Sequence, residues 1–117
     1  MTTRIVITPV GKPRMTQRDR WKERQAVMKY RAFADELRLK YRTPLPGIVR
    51  LAFEIPMPPS WSKKKKDMMR GQPHCQVPDV DNLGKATLDA LCKNDAHVWN
   101  LHATKVWADE GAITITT

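Results

Sequence analysis

The chain has 117 residues, enough for one domain with one modest core, and 41% of them are hydrophobic, as in a folded globule. Lys and Arg number 21 against 12 Asp and Glu, so the net charge is +9, which favours a polyanionic partner and above all nucleic acid. Two cysteines, Cys75 and Cys92, are too few for a disulfide framework. No apolar run is long enough to cross a bilayer or to form the core of a secretory signal, so a cytoplasmic protein with reduced thiols is expected.

Residues 4–8, a β-branched run, predict a first strand, ended by Pro9, Gly11 and Pro13. Residues 12–24 are basic with one aromatic, Trp21, and read as a loop leading into a helix. Over residues 25–41, Val27, Tyr30, Phe33, Ala34, Leu37 and Tyr41 recur at spacings of three and four, which predicts an amphipathic helix. Pro44, Pro46 and Gly47 close that region. In residues 48–55, Val49, Leu51, Phe53 and Ile55 alternate with Arg50 and Glu54, the pattern of a half-buried strand.

Residues 57–78 show no periodicity and read as a long loop that orders on a ligand. A second helix is expected over residues 81–91, burying Leu83, Thr87, Ala90 and Leu91. Residues 98–107 predict a strand, with Trp99 and Trp107 together on a face that is core or dimer interface. Asp109, Glu110 and Gly111 supply turn chemistry before a last strand over Ala112–Thr116. The expectation is a single α+β domain over residues 1–117, with a small mixed β-sheet, two main helices and the order β-α-β-α-β-β.

The chemistry concentrates in residues 78–97. Asp79 and Asp81 are one residue apart, so in extended backbone both carboxylates project to one side. Two close carboxylates repel unless a cation lies between them, and Mg²⁺ typically takes one or two of them while keeping several waters. Asp95 is the candidate third ligand. Asp81, Lys85 and Asp89 follow at intervals of four on one helical stripe, so Lys85 lies between two carboxylates, where its ammonium could stabilise charge on a phosphate. A plainer reading stands beside this one. An Asp before a helix is a common N-cap, and carboxylates four residues from a lysine are often surface ion pairs. The basic remainder favours the chemical reading, because cations hold a phosphate backbone and carboxylates hold the metal that cuts it.

The run Pro78-Asp79-Val80-Asp81-Asn82-Leu83-Gly84-Lys85, then Asp89-Ala90-Leu91 and Asn94-Asp95-Ala96, resembles the signature of the RusA family of Holliday junction resolvases. The stretches from Lys12 to Thr16 and from Pro59 to Lys64 resemble phage-type members. The resemblance implies a homodimer that nicks four-way DNA junctions in pairs with Mg²⁺, for which Mn²⁺ could substitute, in recombination and repair. By position, Asp79, Asp81 and Asp95 match the metal-binding aspartates, Lys85 matches the essential lysine, and Asp89 stands behind them. The chain departs from the pattern at Asn94, where a second Asp is expected, and at His97, where Gln is common. The segment between Asp89 and Asp95 is also shorter than in some members. A bacterial cytoplasm is the expected compartment, and a phage or prophage gene the expected source.

Candidate DNA contacts are Lys63, Lys64, Lys65 and Lys66 beside Trp61, with Arg70 and His74 in the same loop and Arg14 and Arg18 near the N-terminus. Cys75, Cys92 and the histidines match no zinc spacing. Two alternatives remain open at this point: a nuclease for other branched or flapped DNA, and a non-catalytic DNA-binding protein.

Overall fold

The computed structural model describes residues 1–13 and 20–117. The elements are β1 (Thr2–Val6), α1 (Arg20–Lys40), β2 (Ile48–Pro56), α2 (Lys63–Met69), α3 (Val80–Leu91), β3 (Asn100–Ala108) and β4 (Ala112–Thr116). The class is α+β, with the expected order plus one additional helix. Arg14 and Arg18 lie outside the described residues. No described helix is long and apolar enough to cross a membrane.

The four strands form one mixed sheet in the order β1-β4-β2-β3. β4 is antiparallel to both β1 and β2, while β2 and β3 run parallel, from Ile48 opposite Asn100 to Pro56 opposite Ala108. A parallel pair needs a crossover connection, and α2 and α3 supply it. The turn at Asp109, Glu110 and Gly111 therefore does not close a hairpin. β4 pairs with β2 and not with β3, so the turn steps across the end of β2. That step spans two strand spacings, about 10 Å, which three turn residues can cover. At Gly111 an added Cβ would fall 2.6 Å from the Thr8 backbone, so only glycine fits the close approach.

Alternation in the strands sets which face is covered. Val49, Leu51, Phe53 and Ile55 of β2, Ile113 and Ile115 of β4, and Ile5 of β1 are buried. α1 lays Phe33, Ala34 and Leu37 into this core, followed by Tyr41. α3 adds Leu83, Ala86, Thr87, Leu88 and Ala90; of the four positions expected from periodicity, Leu91 is only half-buried, while Ala86 and Leu88 join the buried face. The opposite side of the sheet carries Arg4, bridging Glu54 and Glu110, together with the exposed Val6 and Ile48. Leu37 is fully enclosed, at 0% exposure. Leu37→Ala should therefore cost about 2–5 kcal/mol, a large part of a domain's total stability, read as a lowered midpoint in urea unfolding.

Two expectations are corrected here. Residues 57–78 are not an irregular loop awaiting a ligand. Ser62 caps α2 by accepting the Lys65 N–H at 3.1 Å, so the lysine run is helical. The following stretch is pinned to β3 by Gly71 N–H to Trp107 O, Trp107 N–H to Gln72 O and His74 N–H to Lys105 O. Trp99 and Trp107 do not share a buried face either. Trp107 is 4% exposed, whereas Trp99 precedes β3, lies against Gly47 and is 74% exposed.

Candidate active site

Pro78 leads into α3, and Asp79 takes the N-cap position with extended backbone, φ −67° and ψ 150°. Its carbonyl accepts the Leu83 N–H at 3.0 Å, which starts the helix. Its side chain, however, makes no capping hydrogen bond. The carboxylate is exposed, as is that of Asp81 in the first turn. Neither forms a salt bridge among the described residues. Among the described residues, then, neither a side-chain cap nor an ion pair accounts for Asp79 and Asp81, although Asp81 in the first turn complements the helix dipole.

The segment entering α3 is fixed from behind by Lys105 of β3. Its ammonium donates to the carbonyls of Gln76 at 2.5 Å and Pro78 at 2.8 Å. The Pro78 carbonyl belongs to the peptide that joins Asp79, so Lys105 helps set where the helix start points. No local pattern signals this role, since Lys105 sits in a strand far from the acidic run.

Lys85 is on the outer face of α3, with 63% of its side chain exposed, and reaches Asp89 only at 3.9 Å. Asp89 has a stronger partner, Lys12, at 2.5 Å. That hydrogen bond raises the Lys12 pKa despite partial burial, with Asp89 charge adding to it. Lys12 is held in place by its own N–H, which Asn82 Oδ1 accepts at 3.1 Å. Gly11 permits this contact, since a Cβ there would lie 2.7 Å from Asn82 Nδ2. Lys12 was visible in the sequence only as part of the Lys12 to Thr16 stretch, with no role attached.

Asp95 lies past the other end of α3. Its charge, with that of Asp89, adds to the burial that raises the Cys92 thiol, and it also acts on Lys12. α3 has 12 residues, a length of about 18 Å. The helix begins at Val80, so Asp81 is helical, and the extended backbone expected to turn Asp79 and Asp81 to one side ends at Asp79. Among the described residues, no three His, Cys, Asp or Glu side chains stand together as a ready metal cage.

The proposed DNA contacts divide. Lys63, Lys64 and Lys65 are exposed on α2. Trp61 is half-buried against Trp107, with ring centroids 4.7 Å apart, and Lys65 lies over it at 4.2 Å. Its place is an anchor for α2. Arg70 is bound by Asp67 at 3.0 Å and by Asp109 at 2.9 Å, so its guanidinium is already occupied. His74 cannot touch DNA as expected. It is 4% exposed, with its ring 4.2 Å from that of Trp107 and Nδ1 without a partner among the described residues.

Burial first, and then the Lys105 charge, pushes the His74 pKa below its ordinary 6.5. A group of this kind takes up its proton more readily once the chain unfolds. Stability is then complete above pH 6.5 and falls as the pH drops toward the lowered value. His74→Phe should flatten that acid-side loss, measured as the urea midpoint between about pH 7.5 and 5.5.

The fold and site define a class: a basic α+β domain whose third helix opens with two exposed carboxylates and carries an exposed lysine one turn further on. The family model described as endodeoxyribonuclease RusA matches residues 6–117. The chain belongs to that family, and it is an endonuclease of DNA. A search of curated proteins finds no match.

Proposed function

We propose that the chain is a Mg²⁺-dependent endonuclease that resolves four-way DNA junctions by paired nicks, acting as a homodimer. The observation that carries this reading is that Asp79 and Asp81 are exposed, with no capping bond and no salt bridge among the described residues, at the start of a helix that also carries Lys85.

That pair fits the metal. Mg²⁺ uses hard oxygen ligands and settles for one or two protein carboxylates, leaving the rest to water and phosphate oxygens. Asp79 and Asp81 would hold it, and when bound it would supply Lewis-acid charge to the phosphodiester and an acidified water. Lys85, free of Asp81 and loosely paired to Asp89, is available to a phosphate oxygen. Asp95 is the third carboxylate of this reading. A two-fold dimer suits a symmetric four-way junction. The exposed lysines of α2 would hold the arms, with a salt-dependent affinity. A cytoplasmic site of action and a phage or prophage gene accompany this reading.

The test is a labelled four-way junction incubated with the protein in Mg²⁺ and in EDTA, beside linear duplex, forks and flaps. Paired nicks of the junction in Mg²⁺ alone are expected. Preferred cutting of flaps or forks would assign another branched substrate. Binding without cleavage in either Mg²⁺ or Mn²⁺ would sink the catalytic reading.

A further inference from the structure

A cleft of 680 Å³ opens directly beside Asp79. The segment around Pro9 to Pro13, the face of α1 at Ala26 and Lys29, and the start of α3 form its sides. Its volume is that of pockets that take nucleotide-sized ligands. Its chemistry is mixed in a specific way. Pro9, Val10 and Pro78 give it an apolar wall. Lys29 adds a cation that forms no salt bridge among the described residues. Asn82 also lines it. Its Oδ1 is taken by the Lys12 N–H, which fixes the amide and leaves the Nδ2 donor without a protein acceptor among the described residues.

A phosphate alone would use Lys29 and leave the apolar wall uncovered. A hydrated metal would use Asp79 and nothing else. A nucleotide uses all of it: the wall covers a base face, the Asn82 amide donates to a base edge, and Lys29 meets a phosphate. Enzymes that unstack a nucleotide recover the unstacking cost by this kind of apolar and hydrogen-bonded enclosure. We infer that the cleft holds one unstacked nucleotide of the cleaved strand, next to the phosphodiester that is cut, and so contributes to the choice of cleavage sequence. This rests on the endonuclease reading and adds to it a subsite for a base.

The test is a cycle of binding measurements in EDTA, so that cleavage does not intervene. Four-way junctions carry either a normal nucleotide or an abasic site at each position flanking the nick. They are titrated with the unaltered chain and with Ala26→Trp, which fills the cleft from an exposed helix position. Removing the base should weaken binding about tenfold at one position, the scale of one stacked base. In Ala26→Trp the two junctions should bind within about twofold of each other. The inference is overturned if base removal has no effect at any position, or if its effect persists in Ala26→Trp. In those cases the junction still binds, so the nuclease reading stands. Failure of any junction to bind removes both readings together. Circular dichroism of Ala26→Trp confirms that the comparison is between folded chains.

Discussion

Asp81→Asn should abolish junction cleavage, by roughly a thousandfold or more, while junction binding stays close to that of the unaltered chain. The magnitude follows from charge stabilisation at the phosphodiester, where several kcal/mol depend on carboxylates that hold a metal, and each 1.36 kcal/mol is about tenfold in rate. The substitution is nearly isosteric and the side chain is exposed, so packing is untouched. Asp81 does sit in the first turn of α3, where a carboxylate complements the helix dipole. Losing that charge costs about 0.3–1 kcal/mol, too little to unfold the domain. Single-turnover cleavage in Mg²⁺ and mobility shifts in EDTA separate the two effects. Cleavage within tenfold of the unaltered chain would remove Asp81 from the site. A parallel fall in binding would make it a structural residue.

Much of the fold was legible because two periodicities carry it. The alternation in β2 and the three-and-four spacing in α1 each mark one covered face; the β2 face is buried as expected, and the α1 stripe is buried from Phe33 to Tyr41 with Val27 and Tyr30 half-buried. α2 was not legible. It is short, has no buried residue, and is held by a serine cap, a lysine over Trp61 and ion pairs of Arg70, none of which leaves a hydrophobic pattern. Sheet order was hidden as well. A three-residue turn before β4 looks the same whether the strand pairs with its neighbour or steps over one, and the choice depends on the whole core. For the site, the acidic pair and Lys85 stand out locally, since α3 arranges them by itself. Asp95, Lys12 and Lys105 could not be placed from spacing. Their positions depend on chain returns of many residues, as does the enclosure of His74 beneath Trp107. Long charged side chains compounded the difficulty, because Arg70 looked free for phosphate until its two aspartates were brought to it.

Lys85→Met gives the second large effect, a fall in cleavage on the order of a hundredfold to a thousandfold, the range observed when one preorganised donor to a developing charge is removed. Methionine keeps the length of the stem and is nearly as good a helix former as lysine. The substitution breaks the 3.9 Å ion pair with Asp89, and Asp89 retains Lys12 at 2.5 Å. An exposed pair of this kind contributes about 0.3–0.5 kcal/mol, so the unfolding midpoint should hardly move. If Lys85 acts mainly as the phosphate passes through its transition state, the rate falls while junction affinity does not. If it only grips the ground-state backbone, affinity falls uniformly and the salt slope of binding drops by about one unit, with little change in the rate at saturation. Lys85→Arg sharpens the distinction. It restores the charge but replaces a compact ammonium with a longer planar fork, so it should rescue binding fully and cleavage only in part. Measuring rate at saturating protein and affinity across salt, for the three chains together, therefore decides whether the helix brings its lysine to the phosphate for grip or for chemistry.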